Sequence, residues 1–197
     1  LAKRVQAQQA EAQTIEVKAA HRGCPSKLRD TLSSFSNQNS GGILLFGLDE
    51  NEHFAAVGVY DLQDLQKKVT EQCNQMQPPV RALFTTAEYE GVWICSAEIP
   101  SVAYAERPCY YIGAGIQNGS YVRVGDADRH MTDYEIYCFE AYRNHTHDDE
   151  RVIERATADF LNKDLLNAFL TERRISRPQF AQMNDTQAME MLSITRN

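Results

Sequence analysis

Ser34-Phe35-Ser36-Asn37-Gln38-Asn39-Ser40-Gly41-Gly42-Ile43-Leu44-Leu45-Phe46-Gly47-Leu48-Asp49 carries the architecture of this chain. A helix runs into a polar turn, the turn closes on paired glycines, and an uncharged apolar run from Ile43 to Leu48 follows. Such a run predicts a strand covered on both faces. Upstream, Leu28, Leu32 and Phe35 recur at helical spacing, with Ser26 as the predicted N-cap. Further upstream, residues 14–18 alternate like a strand, Ile15 and Val17 facing the core and Glu16 and Lys18 facing out, after an Ala/Gln-rich helix over residues 1–10. Downstream, Asp49 to Glu52 reads as a turn and Phe54 to Val59 as the hairpin partner of the buried strand. An amphipathic helix over 61–76 presents Leu62, Leu65, Val69 and Cys73 and stops at Pro78-Pro79. A hairpin of strands 80–87 and 92–99 follows, then short strands at 110–112 and 121–125 and a Thr132-capped helix over 133–144. With no regular β-α alternation, the order predicts an α+β fold: a mixed sheet with flanking helices, followed by a helical C-terminal segment.

At 197 residues and 43% hydrophobic content the chain has enough material for one main domain and an appendage. The polar run His145-Thr146-His147-Asp148-Asp149 sets the expected boundary, giving a domain over 1–144 and a helical extension over 145–197, cut from a longer protein. Helices are expected over 150–161, 165–171 and 178–192, the last with Pro178 at its first position. Residues 175–181 have a helix-turn-helix outline, but the second helix carries Asp185 and Glu190 and no Lys or Arg, so it reads as a packing or dimer-supporting helix. His145 and His147 beside two aspartates read as a polar linker rather than a metal site.

No stretch approaches the ~18 apolar residues of a membrane span, and the start LAKRVQAQQAEAQ lacks the apolar core of a signal peptide, so a soluble cytoplasmic protein is expected. Five scattered cysteines without a C-x-x-C pair argue against a disulfide framework or zinc ribbon and read as reduced, mostly buried thiols. The net charge of −7 runs against the basic excess usual in proteins that hold nucleic acid by its phosphates. It is unevenly spread: residues 1–35 hold six Lys/Arg (Lys3, Arg4, Lys18, Arg22, Lys27, Arg29) against Glu11, Glu16 and Asp30, a net +3, which leaves −10 for the rest.

Three blocks together resemble one family. Glu11-x4-Glu16-Val17-Lys18 resembles an E-x4-E-F-K entry; Ser34-Phe35-Ser36-Asn37-x2-Ser40-Gly41-Gly42-x3-Phe46-Gly47-Leu48-Asp49 resembles A-F-A-N-x-x-G-G-x-x-x-x-G-V-D; and Tyr121-Val122-Arg123-Val124-Gly125 resembles Y-I-R-V-G. In this order they are similar to the Schlafen AlbA-like domain of bacterial transcriptional regulators. Val17 stands where the family usually has an aromatic, and Ser36 where Ala is usual. The resemblance implies a DNA-binding module; association as a homodimer is expected of it here. Eukaryotic Schlafen relatives include ribonucleases that cut structured RNA through three carboxylates, which match Glu11, Glu16 and Asp49 here.

The residue chemistry leaves the alternatives open. Three carboxylates are hard oxygen donors suited to Mg²⁺ or Mn²⁺, which polarises a phosphate and activates water. The bland alternative makes Glu11 a solvated helix charge, Glu16 a surface ion-pair partner and Asp49 the start of an Asx turn. Lys18, Arg22, Lys27 and Arg29 form a basic rim suited to nucleic acid. Arg123, in mid-strand, is either a phosphate contact or half of a structural ion pair. The Ser40-Gly41-Gly42 turn is not a phosphate loop, since G-x-x-x-x-G-K-[ST] is absent; its glycines read as a tight helix-to-strand turn. Three functions follow in order: a nucleic-acid-binding module, a metal-dependent endoribonuclease, and a protein-interaction domain.

Overall fold

The computed structural model describes residues 1–144 and 155–195, in two compact units, Leu1–His145 and Thr146–Asn197. The first is built on a four-stranded sheet made of β1 (Ile15–Lys18), β2 (Gly42–Phe46), β6 (Leu83–Tyr89) and β7 (Val92–Ile99), in the order β1-β2-β7-β6. β1 runs parallel to β2, and the β2–β7 and β7–β6 pairs are antiparallel, so the sheet is mixed and the fold α+β. The parallel pair is bridged by α2 (Arg29–Asn37), which lies against the sheet.

The apolar run of β2 is covered on both sides. Leu44 and Phe46 join Leu28, Leu32 and Phe35 of the α2 segment and Leu65, Val69 and Cys73 of α3 (Leu62–Asn74) in the main core. Leu45 turns the other way, onto Ile15, Val17 and the Val5 of α1 (Ala2–Gln8). Each of these buried Leu, Ile, Val and Phe side chains contributes about 1.5–3 kcal/mol relative to exposure.

The strand ends earlier than its apolar run. Gly47 adopts φ 104° and gives its N–H to Lys18 O at 2.9 Å. Leu48 and Asp49 form a separate strand, β3, paired with β4 (Ala55–Ala56). Residues 54–59 are therefore not the partner of the whole run; β7 takes that place. Ser26 does not cap α2 either. The cap position is Leu28, without a side-chain cap, and its N–H is taken by Gln72 Oε1 of α3 at 3.0 Å. The β6–β7 hairpin turns on Glu90 and Gly91, both at positive φ (51° and 81°), as a two-residue turn of the primed type requires.

β5 (Met76–Gln77) pairs with β8 (Tyr110–Tyr111). A short helix, α4 (Gly115–Gly119), follows β8 in the chain. β9 (Tyr121–Val124) acquires an antiparallel partner, β10 (Ala127–His130). α5 (Asp133–Arg143) starts at the expected cap, where Thr132 and Glu135 form a capping box.

In the second unit, α6 (Lys163–Ser176) and α7 (Asp185–Met191) bury Leu170, Phe180, Ala188 and Met189 together. The expected helix from Pro178 is a single 3-10 turn, Pro178–Phe180; the helix proper begins after Asn184, whose capping box with Gln187 satisfies the first amides. Residues 158–160 form one 3-10 turn rather than the end of a helix. The polar linker of His145, His147, Asp148 and Asp149 lies outside the described residues. All five cysteines are free, Cys73, Cys95 and Cys109 buried and Cys24 and Cys138 half-buried. Among the described residues no helix is long and apolar enough to cross a membrane.

Candidate nucleic-acid interface

β1 and β9 bring two of the three candidate carboxylates onto one arginine. Glu16 alternates with Ile15 and Val17, but the face it occupies is not solvent. Arg123 of β9 lies over it, its side chain only 1% exposed and its guanidinium 5.2 Å from the Phe35 ring centre. Alternation alone points Glu16 outward; it is 9% exposed, because the α2–β9 layer covers that side of the strand. Arg123 Nη2 donates to Glu16 Oε2 at 2.7 Å and Nη1 to Asp128 Oδ1 at 2.9 Å. Glu11 Oε2 stands 3.7 Å away. Lys18 Nζ pairs with the other Glu16 oxygen. Of the two roles open to Arg123 in the sequence, the ion pair is the one formed.

Asp128 completes the cluster, accepting from Thr31 Oγ1 at 2.7 Å and Ser34 Oγ at 2.6 Å. It ties β10 to α2, and the sequence reading does not single it out. A signal for it exists: Gly125-Asp126, with Gly125 at φ 65°, is a two-residue turn that makes 127–130 the partner of 121–124.

Glu11 Oε1 accepts the Val17 N–H at 2.6 Å. Burial pushes the Glu11 carboxyl up to about 7, with the neighbouring Glu16 and Glu50 adding to the rise and the Val17 N–H and Lys18 opposing it. Asp49 is engaged locally, accepting from Asn51 N at 3.0 Å and Asn51 Nδ2 at 3.2 Å, the Asx geometry of the bland alternative. Among the described residues no three His, Cys, Asp or Glu side chains are grouped to hold a metal ion. Glu16 is already neutralised by two protein cations. In this arrangement Glu11, Glu16 and Asp49 do not make a cradle fitted to Mg²⁺ or Mn²⁺.

The basic rim divides in two. Lys18 and Arg123 go into the carboxylate cluster, whereas Arg22, Lys27 and Arg29 remain on the loop between β1 and α2 and at the first turn of α2. Arg22 and Lys27 are exposed, and among the described residues none of the three is in an ion pair. Arg29 lies over the Tyr111 ring at 4.6 Å. Nearby in sequence to Asp128, Tyr121 and His130 stack at 4.2 Å between ring centres. The Ser40-Gly41-Gly42 turn holds no such group. A Cβ on Gly42 would sit 2.3 Å from the Phe35 ring, and one on Gly41 2.3 Å from Ile99 O, so both glycines serve close packing.

Comparison with solved structures finds the N-terminal domain of a protein related to the ATP-dependent DNA helicase RecG, from Nitrosomonas europaea. It is 22% identical with a TM-score of 0.51 and covers 66% of this chain and 93% of its own. A protein of Corynebacterium diphtheriae is 17% identical with a TM-score of 0.47, over 95% of this chain and 35% of that one. At these identities the first likeness concerns the fold. No curated protein matches the chain. The family model described as Schlafen, AlbA_2 matches residues 11–132, the span that holds Glu11, Glu16, the α2–β2 turn and the β9–β10 hairpin, and the chain belongs to that family.

Proposed function

We propose that the first unit is a nucleic-acid-binding module, the DNA-contacting part of a cytoplasmic bacterial transcriptional regulator that acts as a homodimer. The observation that carries this reading is the separation of charge at the site. Lys18 and Arg123 are taken up by the carboxylates Glu11, Glu16 and Asp128, while Arg22, Lys27 and Arg29 have no carboxylate partner among the described residues and share one loop and helix start. Cations on a loop and at a helix start suit a phosphate backbone. This local surplus answers the acidic net charge, since a phosphate senses the nearby cations more than distant charges screened beyond ~8 Å at physiological salt. Arg123 acts by bracing β9 against β1, not by reaching the ligand.

The test is binding of labelled duplex DNA and structured RNA across a salt series, for the natural chain and for a chain with Arg22, Lys27 and Arg29 all replaced by Ala. The expected result is a slope of log affinity against log salt that flattens by roughly 0.9 for each duplex phosphate the triple variant no longer neutralises. Salt-insensitive retention, or an unchanged slope in the triple variant, would overturn the reading. Parallel incubations with Mn²⁺, with chelator and with Glu16→Ala decide the endoribonuclease alternative: metal-dependent cleavage abolished by Glu16→Ala would put the enzyme first.

A further inference from the structure

Among the described residues β6 closes one side of the sheet without a neighbour. Its seven residues, LFTTAEY, contain one charge, Glu88, and no lysine or proline, the devices by which exposed edges are usually blunted. The hairpin fixes which backbone groups face outward. Tyr89 and Val92 close the two-residue turn as a hydrogen-bonded pair, so residues 89, 87, 85 and 83 bond inward to β7. Glu88, Thr86 and Phe84 then turn their N–H and C=O groups away. Trp93, opposite Glu88, agrees, because its carbonyl accepts the Val59 N–H at 2.8 Å on the far side of β7. Among the described residues no other strand pairs with these outward groups.

We propose that β6 is the docking edge for a second copy of this chain, paired antiparallel about a two-fold axis at Thr86, so that two sheets become one. This names the surface of the homodimer included in the reading above. Outward residues must meet outward residues, so Thr86 faces Thr86 of the partner subunit and Phe84 faces Glu88 of the partner subunit. Sliding the pairing to the next compatible register leaves one outward residue of each copy unpaired. Side-chain placement selects the same register. Phe84, Thr86 and Glu88 share the α3 side of the sheet, where Phe84 and the helix residues Gln63, Gln66, Lys67, Thr70 and Glu71 line a groove of about 400 Å³. Glu88 of the partner subunit arrives at that groove beside Lys67, which is exposed and in no ion pair among the described residues. The two-fold axis repeats this acid-to-cation contact. On the opposite face Leu83, 64% exposed, is brought against Tyr89 of the partner subunit.

Paired residues of this kind have Cα atoms about 5.5 Å apart, within the span a disulfide bridges. Thr86→Cys in the full chain, combined with Cys95→Ala because Cys95 lies directly across from residue 86 in the β6–β7 pair and would capture the new thiol within one chain, is therefore expected to give a crosslinked dimer on mild oxidation, above the baseline of the remaining natural cysteines. Thr85→Cys, on the other face and offset from its counterpart, is not. Thr86→Pro removes an N–H that β7 does not use; the variant is expected to melt as the natural chain does while its mass by sedimentation equilibrium falls from two chains to one. Lys67→Glu is expected to weaken the dimer several-fold, and Glu88→Lys added to it to restore the affinity; this pair decides the matter if Thr86→Pro fails to fold. A single-chain mass at all concentrations, equal crosslinking from both cysteine variants, or no rescue by the charge swap would overturn the proposal. All of these are read without nucleic acid, so the docking edge and the binding reading fail separately.

Discussion

Arg123 Nη2 and Glu16 Oε2 stand 2.7 Å apart with the arginine side chain 1% exposed, joining the first strand of the sheet to a hairpin more than a hundred residues later. A charge so buried is tolerated only when paired, and removing one member leaves the other uncompensated at a cost of about 3–5 kcal/mol. Arg123→Met strands both Glu16 and Asp128 and is expected to lower the unfolding free energy by that order in urea titration. Arg123→Met with Glu16→Gln should cost less than the sum of the two single changes. Additive losses would mean the pair is not coupled.

Glu11 gives the fold a pH dependence of opposite sign to the usual salt-bridged carboxylate. Its carboxyl is raised from 4.5 to about 7 by burial and by Glu16 and Glu50, so the folded chain binds a proton that the unfolded chain has released over that window. Stability contributed here is therefore present below 4.5 and is lost as pH rises through 7. Urea midpoints at pH 5, 6, 7 and 8 should fall more steeply in the natural chain than in Glu11→Gln. Parallel curves would show that Glu11 does not titrate there.

How far the sequence reaches depends on whether the deciding contact is local. The burial of Leu44, Leu45 and Phe46 on both faces is legible because an uncharged run states it outright. Thr132 is legible as a cap because its partner Glu135 is three residues on. Glu16 is not: alternation tells which residues share a face, not whether the other face is covered, and its cover comes from a residue 107 positions away. The start of α2 fails for the same reason, since Gln72 of another helix satisfies the Leu28 N–H. Asp49 and the pair Glu11–Glu16 are legible as residue types, but their spacing in sequence does not determine whether they converge. The start of α7 is misread although its signal is local, as Asn184 and Gln187 carry a capping-box spacing that outweighs the proline at 178.

The paired glycines can be tested as packing residues. Gly41 has φ 64°, and a Cβ there would meet the Ile99 carbonyl at 2.3 Å, a backbone atom that cannot swing aside. Gly41→Ala is expected to cost more than the ~1 kcal/mol of the unfavourable backbone conformation alone. If the turn instead held a phosphate, the variant would fold normally and lose only ligand affinity, which thermal melting without ligand distinguishes.

Asn37 ends α2 as a buried hub, and its removal isolates several groups at once. Its Oδ1 accepts the Cys109 N–H at 2.7 Å, and its Nδ2 donates to Cys109 O at 2.9 Å and Tyr121 O at 3.1 Å. The side chain thus ties Cys109, just before β8, to Tyr121 at the start of β9, and holds β9 in the position from which Arg123 reaches Glu16. Each group left unsatisfied costs about 1–3 kcal/mol, so Asn37→Ala is expected to destabilise more than Arg81→Ala, whose exposed contact is to Asn74. Asn37→Asp separates the two halves of the role, because it keeps the acceptor for Cys109 N–H but loses the donor. It should recover part of the stability at acid pH, where its carboxyl carries a proton able to donate, and little at neutral pH, where a buried carboxylate would face two carbonyl oxygens. Equal stability of Asn37→Ala and the natural chain in urea would show that β9 is held by its other contacts alone.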